Sequence, residues 1–373
     1  MKSNRLGKST VIFRNKPKIE STYSMVGPKE GNGPFAKYFD CILNDDLCGK
    51  KSYELAEREI LERTIIGALQ KGNIDLKDID FMIGGDLLNQ IISSSFSARH
   101  FETPFIGLYG ACSTMSESLA LGATLIDGGY AKKTICATVS HFSTAERQYR
   151  YPLELGNQRP PVSQWTVTGS GCTVLSNEGT GNYIAMATFG KVTDYGITDA
   201  NNMGAAMAPA ACSTIIEHFK DTKRTPDDYD LIVTGDLGKL GSEILRDLME
   251  HNGYKLGGNY SDCGQMIFSR DQKTFQGGSG AGCSASILNG YILKQMDAGK
   301  FNRVLFVATG ALLSTISTQQ GETIPCIAHA VVIERDDSNN DILKKENLND
   351  IKSIKNINKK NNFQKNIKKI QKF

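Results

Sequence analysis

An internal repeat is the feature of this sequence that most restricts how the chain can fold. Residues 78–87 (DIDFMIGGDL) are matched by residues 228–237 (DYDLIVTGDL) at an offset of 150, and residues 110–133 by residues 280–303 at an offset of 170. Each copy reads as an apolar strand, a connection, a Gly/Ala-rich helix, a glycine turn and a second apolar strand. Near-continuous apolar runs are typical of strands that are covered on both faces. The repeat therefore predicts two copies of one α/β unit rather than a solenoid array.

The helix of each copy indicates how these units are layered. It is rich in Gly, Ala and Ser, so it can pack closely, and a helix that is apolar all round is typically buried between two layers. We place the first half at 1–176, the second half at 177–336 and a separate basic tail at 337–373. The overall prediction is an α/β fold made of two similar halves.

Composition disfavours several classes of protein. Hydrophobic residues make up 40% and charged residues 22% of the 373 residues, which is ordinary for a globular protein. No apolar run approaches the length of about 18 residues typical of a transmembrane helix, and the polar, basic start of the chain does not read as a signal peptide. The nine cysteines contain no CxxC pair, which disfavours a disulfide framework and favours a reducing compartment. The five histidines show no metal-ligand spacing. We predict no cofactor and no metal held by the protein alone.

The net charge of +3 is unevenly distributed. Residues 341–373 carry ten lysines against three acidic residues, which leaves 33 basic and 37 acidic residues in 1–340. The body of the chain is therefore slightly acidic, and we predict no nucleic-acid binding. From residue 351 onward the tail has eight lysines and no acidic residue, with isoleucine and phenylalanine at helical spacing. Two interpretations of the tail stay open: a solvated, disordered segment, or a basic amphipathic segment on an anionic membrane.

Residues 110–114 (GACST) form a candidate nucleophile motif. A small-residue helix over 115–126 follows it, and then an apolar strand over 134–139. A cysteine at a helix N-terminus lies near free N–H groups and the positive end of the helix dipole, which lower the pKa of a thiol. We therefore predict that Cys112 lies in a pocket, with a packed small side chain as the alternative.

Three further segments complete a resemblance to known proteins: residues 145–152 (AERQYRYP), 164–171 (QWTVTGSG) and 199–210 (DANNMGAAMAPA). Together with the GACST motif they resemble the thiolase superfamily and, within it, the stage V sporulation protein AD family. The resemblance implies a layered αβαβα fold of two similar halves, assembled as a homodimer. It also implies a role in the uptake of dipicolinic acid into the developing spore, as part of the SpoVA apparatus and peripheral to the spore inner membrane. The tail over 337–373 departs from the family.

Condensing enzymes of this superfamily need a histidine and an asparagine, and both positions differ here. The histidine would follow the first strand of the second repeat, where the chain reads TGD over 234–236. The asparagine would open the small-residue segment, which reads GGSG over 277–280. A glycine offers only its backbone, and an aspartate would repel an oxyanion. These differences predict a protein that is not catalytic, and the resemblance implies that it binds dipicolinic acid, alone or as its calcium chelate.

Seven residues are predicted to form the ligand site. A planar dicarboxylate suits a bidentate guanidinium, and we assign this role to Arg147 rather than Arg150, both in an irregular stretch after the strand over 134–139. Asp236 and Asp199 would complete the coordination of a calcium ion that dipicolinate already chelates. A solvated arginine, a core histidine and an N-cap asparagine are the alternatives for the polar members. The predicted set is Cys112, His141, Arg147, Asn201, Asp236, Gly278 and His329.

Two other functions stay open. One is acyl transfer or condensation through Cys112, with His141 or His329 as its base. The other is a structural subunit whose pocket is a relic. Covalent labelling of Cys112 by an acyl thioester would favour the enzyme, whereas the absence of any small-molecule binding would favour the structural subunit.

Overall fold

The computed structural model describes residues 3–150 and 152–336, so both interpretations of the tail over 337–373 lie outside the described residues. The strands are β1 (Thr10–Ile12), β2 (Lys18–Val26), β3 (Cys41–Ile42), β4 (Phe81–Gly85), β5 (Phe105–Gly107), β6 (Lys133–Ser140), β7 (Trp165–Thr166), β8 (Gly169–Ser176), β9 (Tyr183–Thr188), β10 (Leu231–Thr234), β11 (Tyr260–Asp262), β12 (Gly278–Ser279), β13 (Arg303–Ala311) and β14 (Cys326–Glu334). The helices are α1 (Pro28–Gly31), α2 (Tyr53–Gly72), α3 (Ile92–Phe101), α4 (Thr114–Asp127), α5 (Phe142–Tyr149), α6 (Met203–Thr222), α7 (Gly238–His251), α8 (Cys263–Ile267), α9 (Ala281–Ile287), α10 (Leu293–Asp297) and α11 (Thr315–Gln319).

The strand order repeats between the two halves of the chain. The main sheet runs β11-β10-β13-β14-β9-β2-β8-β6-β4-β5, so it consists of a first-half block, β2-β8-β6-β4-β5, and a second-half block, β9-β14-β13-β10-β11. Numbered by chain position within its block, each reads 1-5-4-2-3. Pairing directions also agree, because β4 is parallel to β5 and β6 just as β10 is parallel to β11 and β13. The predicted duplication of one α/β unit is confirmed.

The sequence repeats fall on equivalent elements of the two blocks. Residues 78–87 contain β4 and residues 228–237 contain β10, which hold the same position in their blocks. Residues 110–133 contain α4, and residues 280–303 contain α9 and α10, which a π-helical turn joins into one helix. The repeat therefore brings the residues after β4 and those after β10 to corresponding places in the two halves.

Helices cover the sheet blocks in layers. The helices α2 and α3 pack on the first block, and α6 and α7 pack on the second. Between the blocks lie α4, which contacts both β6 and β14, and α9, which contacts β6 and β8. Apolar side chains from both blocks and from these middle helices form one continuous cluster. The layering is αβαβα, as expected.

Small residues let the middle helices approach the strands closely. A Cβ atom at Gly122 of α4 would lie 2.8 Å from the sulfur of Cys136 in β6. At Gly282 of α9 it would lie 2.2 Å from the carbonyl oxygen of Gly169 in β8. The Gly/Ala-rich composition of both helices follows from these distances, since packed interiors leave no room for larger side chains.

We expect Gly310→Ala to destabilise the protein by about 3 kcal/mol, because overpacking against backbone cannot be relieved by a side-chain rotation. A Cβ atom at Gly310 of β13 would lie 2.1 Å from the carbonyl oxygen of Gly110, in the turn that holds Cys112. Urea unfolding monitored by circular dichroism measures the effect. Gly258→Ala is the matched control, because a Cβ atom there meets no atom within 4 Å. Equal unfolding midpoints for the two variants would contradict the close packing described for β13.

Candidate functional site

The loop after β5 turns sharply at Cys112. Ala111 adopts a left-handed conformation with φ of +50°, and Ala111–Ser113 form a single 3-10 turn that leads directly into α4. The hydroxyl and the N–H of Ser113 both donate to the Gly110 carbonyl, at 2.7 and 3.0 Å. A left-handed non-glycine residue is strained, and such strain clusters at functional sites. The turn leaves Cys112 9% exposed, at the wall of a cavity.

This cavity, the Cys112 cavity, has a volume of about 350 Å³. Its walls come from both halves of the chain: the segment after β4, the end of α5, the start of α6 and the end of β13. Among its polar lining residues are Asp86, Cys112, Tyr149, Arg150 and Ser279. Its apolar lining is Leu87, Leu88, Ile91, Tyr109, Ala111, Ala145, Met203, Met207, Ala311, Leu312 and Leu313. A mostly apolar wall with a few polar groups is typical of a small-molecule site.

Asp236 lies directly behind Cys112 and is fully buried. Its Oδ1 accepts from the Thr309 hydroxyl at 2.7 Å, and its Oδ2 accepts from the Ser279 hydroxyl at 3.0 Å and from the Gly280 N–H at 3.2 Å. The Cys112 thiol lies close enough to this carboxylate for each group to shift the pKa of the other. Among the described residues Asp236 forms no ion pair, so a carboxylate held by neutral donors occupies the place next to the thiol.

The pKa of the Cys112 thiol is therefore opposite to the expected one. Burial raises this pKa well above its ordinary value, and the charge of Asp236 raises it further. These two effects outweigh the Gly280 N–H and the Ser279 hydroxyl, which lower the pKa of the thiol. Activation of the thiol by the helix N-terminus was a wrong expectation, because a thiol next to a carboxylate keeps its proton.

Asp86 is the repeat counterpart of Asp236 and belongs to a buried pair of carboxyl groups. Its Oδ1 accepts from the Leu88 N–H at 2.9 Å and its Oδ2 from the Ser94 N–H at 2.7 Å. Beside it lies Glu57, whose Oε2 accepts from the Thr144 hydroxyl at 2.6 Å and whose Oε1 has no hydrogen-bond partner among the described residues. Burial and the charge of Asp86 raise the pKa of Glu57 well above its ordinary value. Burial also raises the pKa of Asp86, and the N–H groups of Ser94 and Leu88 act in the opposite direction.

Arg150 supplies the positive charge of the Cys112 cavity. It follows the last residue of α5, and its side chain is only 5% exposed. Its Nη1 donates to Glu146 Oε2 at 2.8 Å, while its Nε is buried without a hydrogen-bond partner among the described residues. The neighbouring Tyr149 hydroxyl donates to the Leu87 carbonyl, and burial raises the pKa of Tyr149 to about 12. A guanidinium group in the lining of a cavity is suited to an anionic ligand.

Two of the predicted site residues, His141 and Arg147, lie outside the lining of this cavity. His141 is the N-cap of α5: its Nδ1 accepts from the Ser143 N–H at 3.1 Å, and its Nε2 lies 2.8 Å from the Asp46 carbonyl, to which it donates. Arg147 lies on the exposed side of α5, where it pairs with Glu54. Both side chains already have partners within the protein.

Asn201 and His329 are also apart from the cavity lining. The Nδ2 of Asn201 donates to Asp199 Oδ1 at 3.2 Å in the segment before α6. His329 in β14 is buried, its Nδ1 accepts from the Gly190 N–H at 3.3 Å, and burial lowers its pKa to about 4. Gly278, in contrast, immediately precedes Ser279, and its carbonyl accepts from Gln164 Nε2 at 2.8 Å. Of the seven predicted residues, Cys112 lines the cavity, Asp236 lies behind it, Gly278 is next to the lining residue Ser279, and the other four lie elsewhere.

Several residues that line the cavity are absent from the predicted set, although the sequence contains an indication for two of them, Asp86 and Arg150. Asp86 occupies the same repeat position as Asp236, so the assignment of one implied the other. Arg150 is four residues after Glu146, the spacing of a helical ion pair. Met203 had no signal, because only the tertiary fold brings the start of α6 to the cavity.

Residues 3–150 and 152–336 contain neither a metal-ligand cluster nor a membrane-spanning helix. Within these ranges, no cluster of three or more His, Cys, Asp or Glu side chains is arranged to hold a metal ion. No helix in the same ranges is long and apolar enough to cross a membrane.

Comparison with solved structures defines the class of the fold. The chain resembles 3-oxoacyl-[acyl-carrier-protein] synthase III from Aquifex aeolicus VF5, with a TM-score of 0.54 and 12% identity over 85% of this chain and 99% of that one. It equally resembles human mitochondrial 3-ketoacyl-CoA thiolase, with a TM-score of 0.54 and 12% identity over 86% of this chain and 98% of that one. Such low identity shows the fold alone. The predicted thiolase-like α/β fold is confirmed.

Sequence comparison identifies the family within this class. The family model of stage V sporulation protein AD (SpoVAD) matches residues 7–334. Stage V sporulation protein AD of Bacillus subtilis (strain 168) is 50% identical over 329 residues, which cover 88% of this chain and 97% of that protein. The chain belongs to the SpoVAD family of sporulation proteins.

Proposed function

We propose that this protein binds dipicolinic acid without transforming it, alone or as its calcium chelate, for uptake into the developing spore. In this proposal it acts as a homodimer, peripheral to the spore inner membrane and together with the membrane subunits of the SpoVA apparatus. Membership of a sporulation family supports the setting. The properties of the Cys112 cavity support the ligand.

The observation that carries the proposal is the place of Arg150 in the lining of the cavity, with an Nε donor that has no partner among the described residues. Dipicolinate is a rigid pyridine ring with a carboxylate on each side of the ring nitrogen. One carboxylate would accept from the Nε that has no partner among the described residues, while Nη1 stays with Glu146. The ring would pack on apolar lining residues such as Met203 and Met207. A planar anion in a cavity of this size needs both kinds of contact.

The carboxylates of Asp236 and Asp86 have different roles in this proposal. Asp236 keeps the Cys112 thiol protonated, and the two histidines considered as its base, His141 and His329, have partners elsewhere. A thiol without a base is a weak nucleophile. Asp86 lines the cavity and would face the calcium ion of a bound chelate, since calcium accepts additional oxygen ligands.

Calorimetry with a series of related ligands tests this proposal. We expect saturable binding of dipicolinate, and weaker binding of picolinate, which lacks one carboxylate, and of benzene-1,3-dicarboxylate, which lacks the ring nitrogen. If Asp86 helps to hold the chelate, added calcium tightens dipicolinate binding in the native protein and does so less in Asp86→Asn. Equal affinity for all three ligands, or no saturable binding of dipicolinate with or without calcium, would overturn the proposal.

A further inference from the structure

A second cavity, the basic cleft, lies on the second half of the chain and shares no lining residue with the Cys112 cavity. Its volume is about 500 Å³. Three cationic side chains line it, those of Lys239, Arg270 and Lys273, and no aspartate or glutamate does. The rings of Phe268 and Phe275 complete the wall. The cleft therefore combines positive charge with aromatic surface.

The three cations are not neutralised by the protein. None of them forms an ion pair with a described residue, whereas other surface cations, such as Lys50 with Glu59, do. The nearest acid in sequence, Asp271, accepts from the hydroxyl of the lining residue Ser269 at 2.5 Å and forms no ion pair with these cations among the described residues. Cations that share one cleft repel each other unless an anion lies between them.

The loop that forms one wall of the cleft holds two strained residues. Lys273 and Phe275 have left-handed backbones, with φ of +55° and +53°, and both line the cleft. A non-glycine residue in this region costs free energy and is kept only where the surrounding structure enforces it. The loop is thus built to present one cation and one ring at fixed positions.

Hydrogen bonds from two sides hold this loop. From α7, the Lys239 N–H donates to the Gln276 carbonyl at 2.9 Å, and the Lys239 ammonium donates to the Phe275 carbonyl at 3.0 Å. From the segment before β7, the Pro161 and Ser163 carbonyls accept from the side chain and backbone of Gln276, at 2.9 and 3.2 Å. The cleft is therefore preformed, so a ligand need not order it on binding.

We propose that the basic cleft binds a ligand whose negative charge is carried by phosphate groups. Three cations with no acid in the lining call for a ligand with two or more negative charges. Lysine ammonium and arginine guanidinium groups are the side chains that bind phosphate oxygens, and Phe275 at the rim contacts the rest of the ligand. The phosphate belongs either to a soluble phosphorylated molecule or to the headgroup of an anionic phospholipid. This site goes beyond dipicolinate binding and does not depend on it.

Variants of the full chain test the site with two probes. Inorganic pyrophosphate, titrated by calorimetry, represents a soluble ligand; vesicles that contain phosphatidylglycerol, tested by co-sedimentation, represent a phospholipid. The double variant Arg270→Gln/Lys273→Gln removes two of the cations. The matched control is Lys191→Gln/Lys255→Gln, which removes two exposed lysines outside the cleft and leaves the basic tail unchanged. Thermal melts check that both variants stay folded.

We expect at least tenfold weaker binding of one probe in the cleft variant and unchanged binding in the control. Loss of pyrophosphate binding identifies a soluble ligand, and loss of vesicle binding alone identifies a phospholipid headgroup. Absence of binding of either probe to the native protein would overturn the proposal. An equal loss in both variants would also overturn it, because it would show only a general effect of charge.

Discussion

Asp236→Asn should raise the rate at which iodoacetamide alkylates Cys112 at pH 8 by about tenfold, because a lower thiol pKa increases the fraction of reactive thiolate. The substitution removes the negative charge beside the thiol and keeps an oxygen that accepts from Thr309 or Ser279. Because the charge of Asp236 raises the thiol pKa, its removal shifts the alkylation profile toward lower pH. Mass spectrometry of the Cys112 peptide at several pH values measures the shift.

Two comparisons separate this effect from a general loosening of the fold. Asp86→Asn changes a carboxyl group that lines the same cavity without contact to the thiol, and should leave the Cys112 rate unchanged. Cys41 and Cys48, which are partly exposed, serve as reference thiols within each sample. An unchanged Cys112 rate in Asp236→Asn would show that Asp236 does not suppress the thiol. A reactive Cys112, as acyl transfer requires, would then be compatible with the site.

Arg150→Lys should weaken dipicolinate binding at least tenfold, whereas Arg147→Lys should change it less than about twofold, as expected for an exposed pair. A lysine at 150 keeps a cation for Glu146 but lacks the Nε donor. A smaller substitution would confuse the result, because it would leave Glu146 buried without its partner, at a cost of about 3–5 kcal/mol. Calorimetry on the two variants, with unfolding midpoints as a control, measures the difference.

Comparison of Arg150→Lys with Arg147→Lys separates a specific contact with the ligand from a general effect of positive charge. Both arginines lie in or next to α5, three residues apart, and both changes preserve charge. Equal loss of affinity would indicate that the ligand responds only to the positive field around α5. A larger loss in Arg147→Lys would return the ligand to Arg147, the arginine predicted from the sequence.

The fold was predictable because its information is local and repeated. Two apolar strands and a small-residue helix recur with the same internal order, and the structure places them at matching positions, as β4 with β10 and α4 with α9–α10. Apolar runs indicate strands that are buried on both faces. Glycines in the helices indicate close helix–strand contacts, such as that of Gly122 with Cys136. Neither inference needs knowledge of distant contacts.

The cavity was less predictable because it depends on side-chain direction. Residues 142–149 were read as irregular, yet they form α5, which places Arg150 next to Glu146 and turns Arg147 toward Glu54. In the same way His141 was assigned to the ligand from its place after a strand, although it caps α5. The helical phase of a short segment decides which of two nearby arginines is buried, and the sequence pattern alone does not fix that phase.

The thiol shows how a correct position can lead to a wrong electrostatic conclusion. Cys112 lies at the helix start as predicted, and Asp236 was recognised as the residue in place of a histidine. Their direct contact, which joins two segments 124 residues apart, follows only from the duplicated fold. Burial first, and the charge of Asp236 second, raise the pKa of the thiol.

A crystal structure of the protein grown with saturating dipicolinate tests the central claim most directly. The account predicts one ligand in the Cys112 cavity, with a carboxylate oxygen within hydrogen-bonding distance of Arg150 Nε and no bond to the Cys112 sulfur. A ligand bound elsewhere, or continuous density from the sulfur to the ligand, would contradict it.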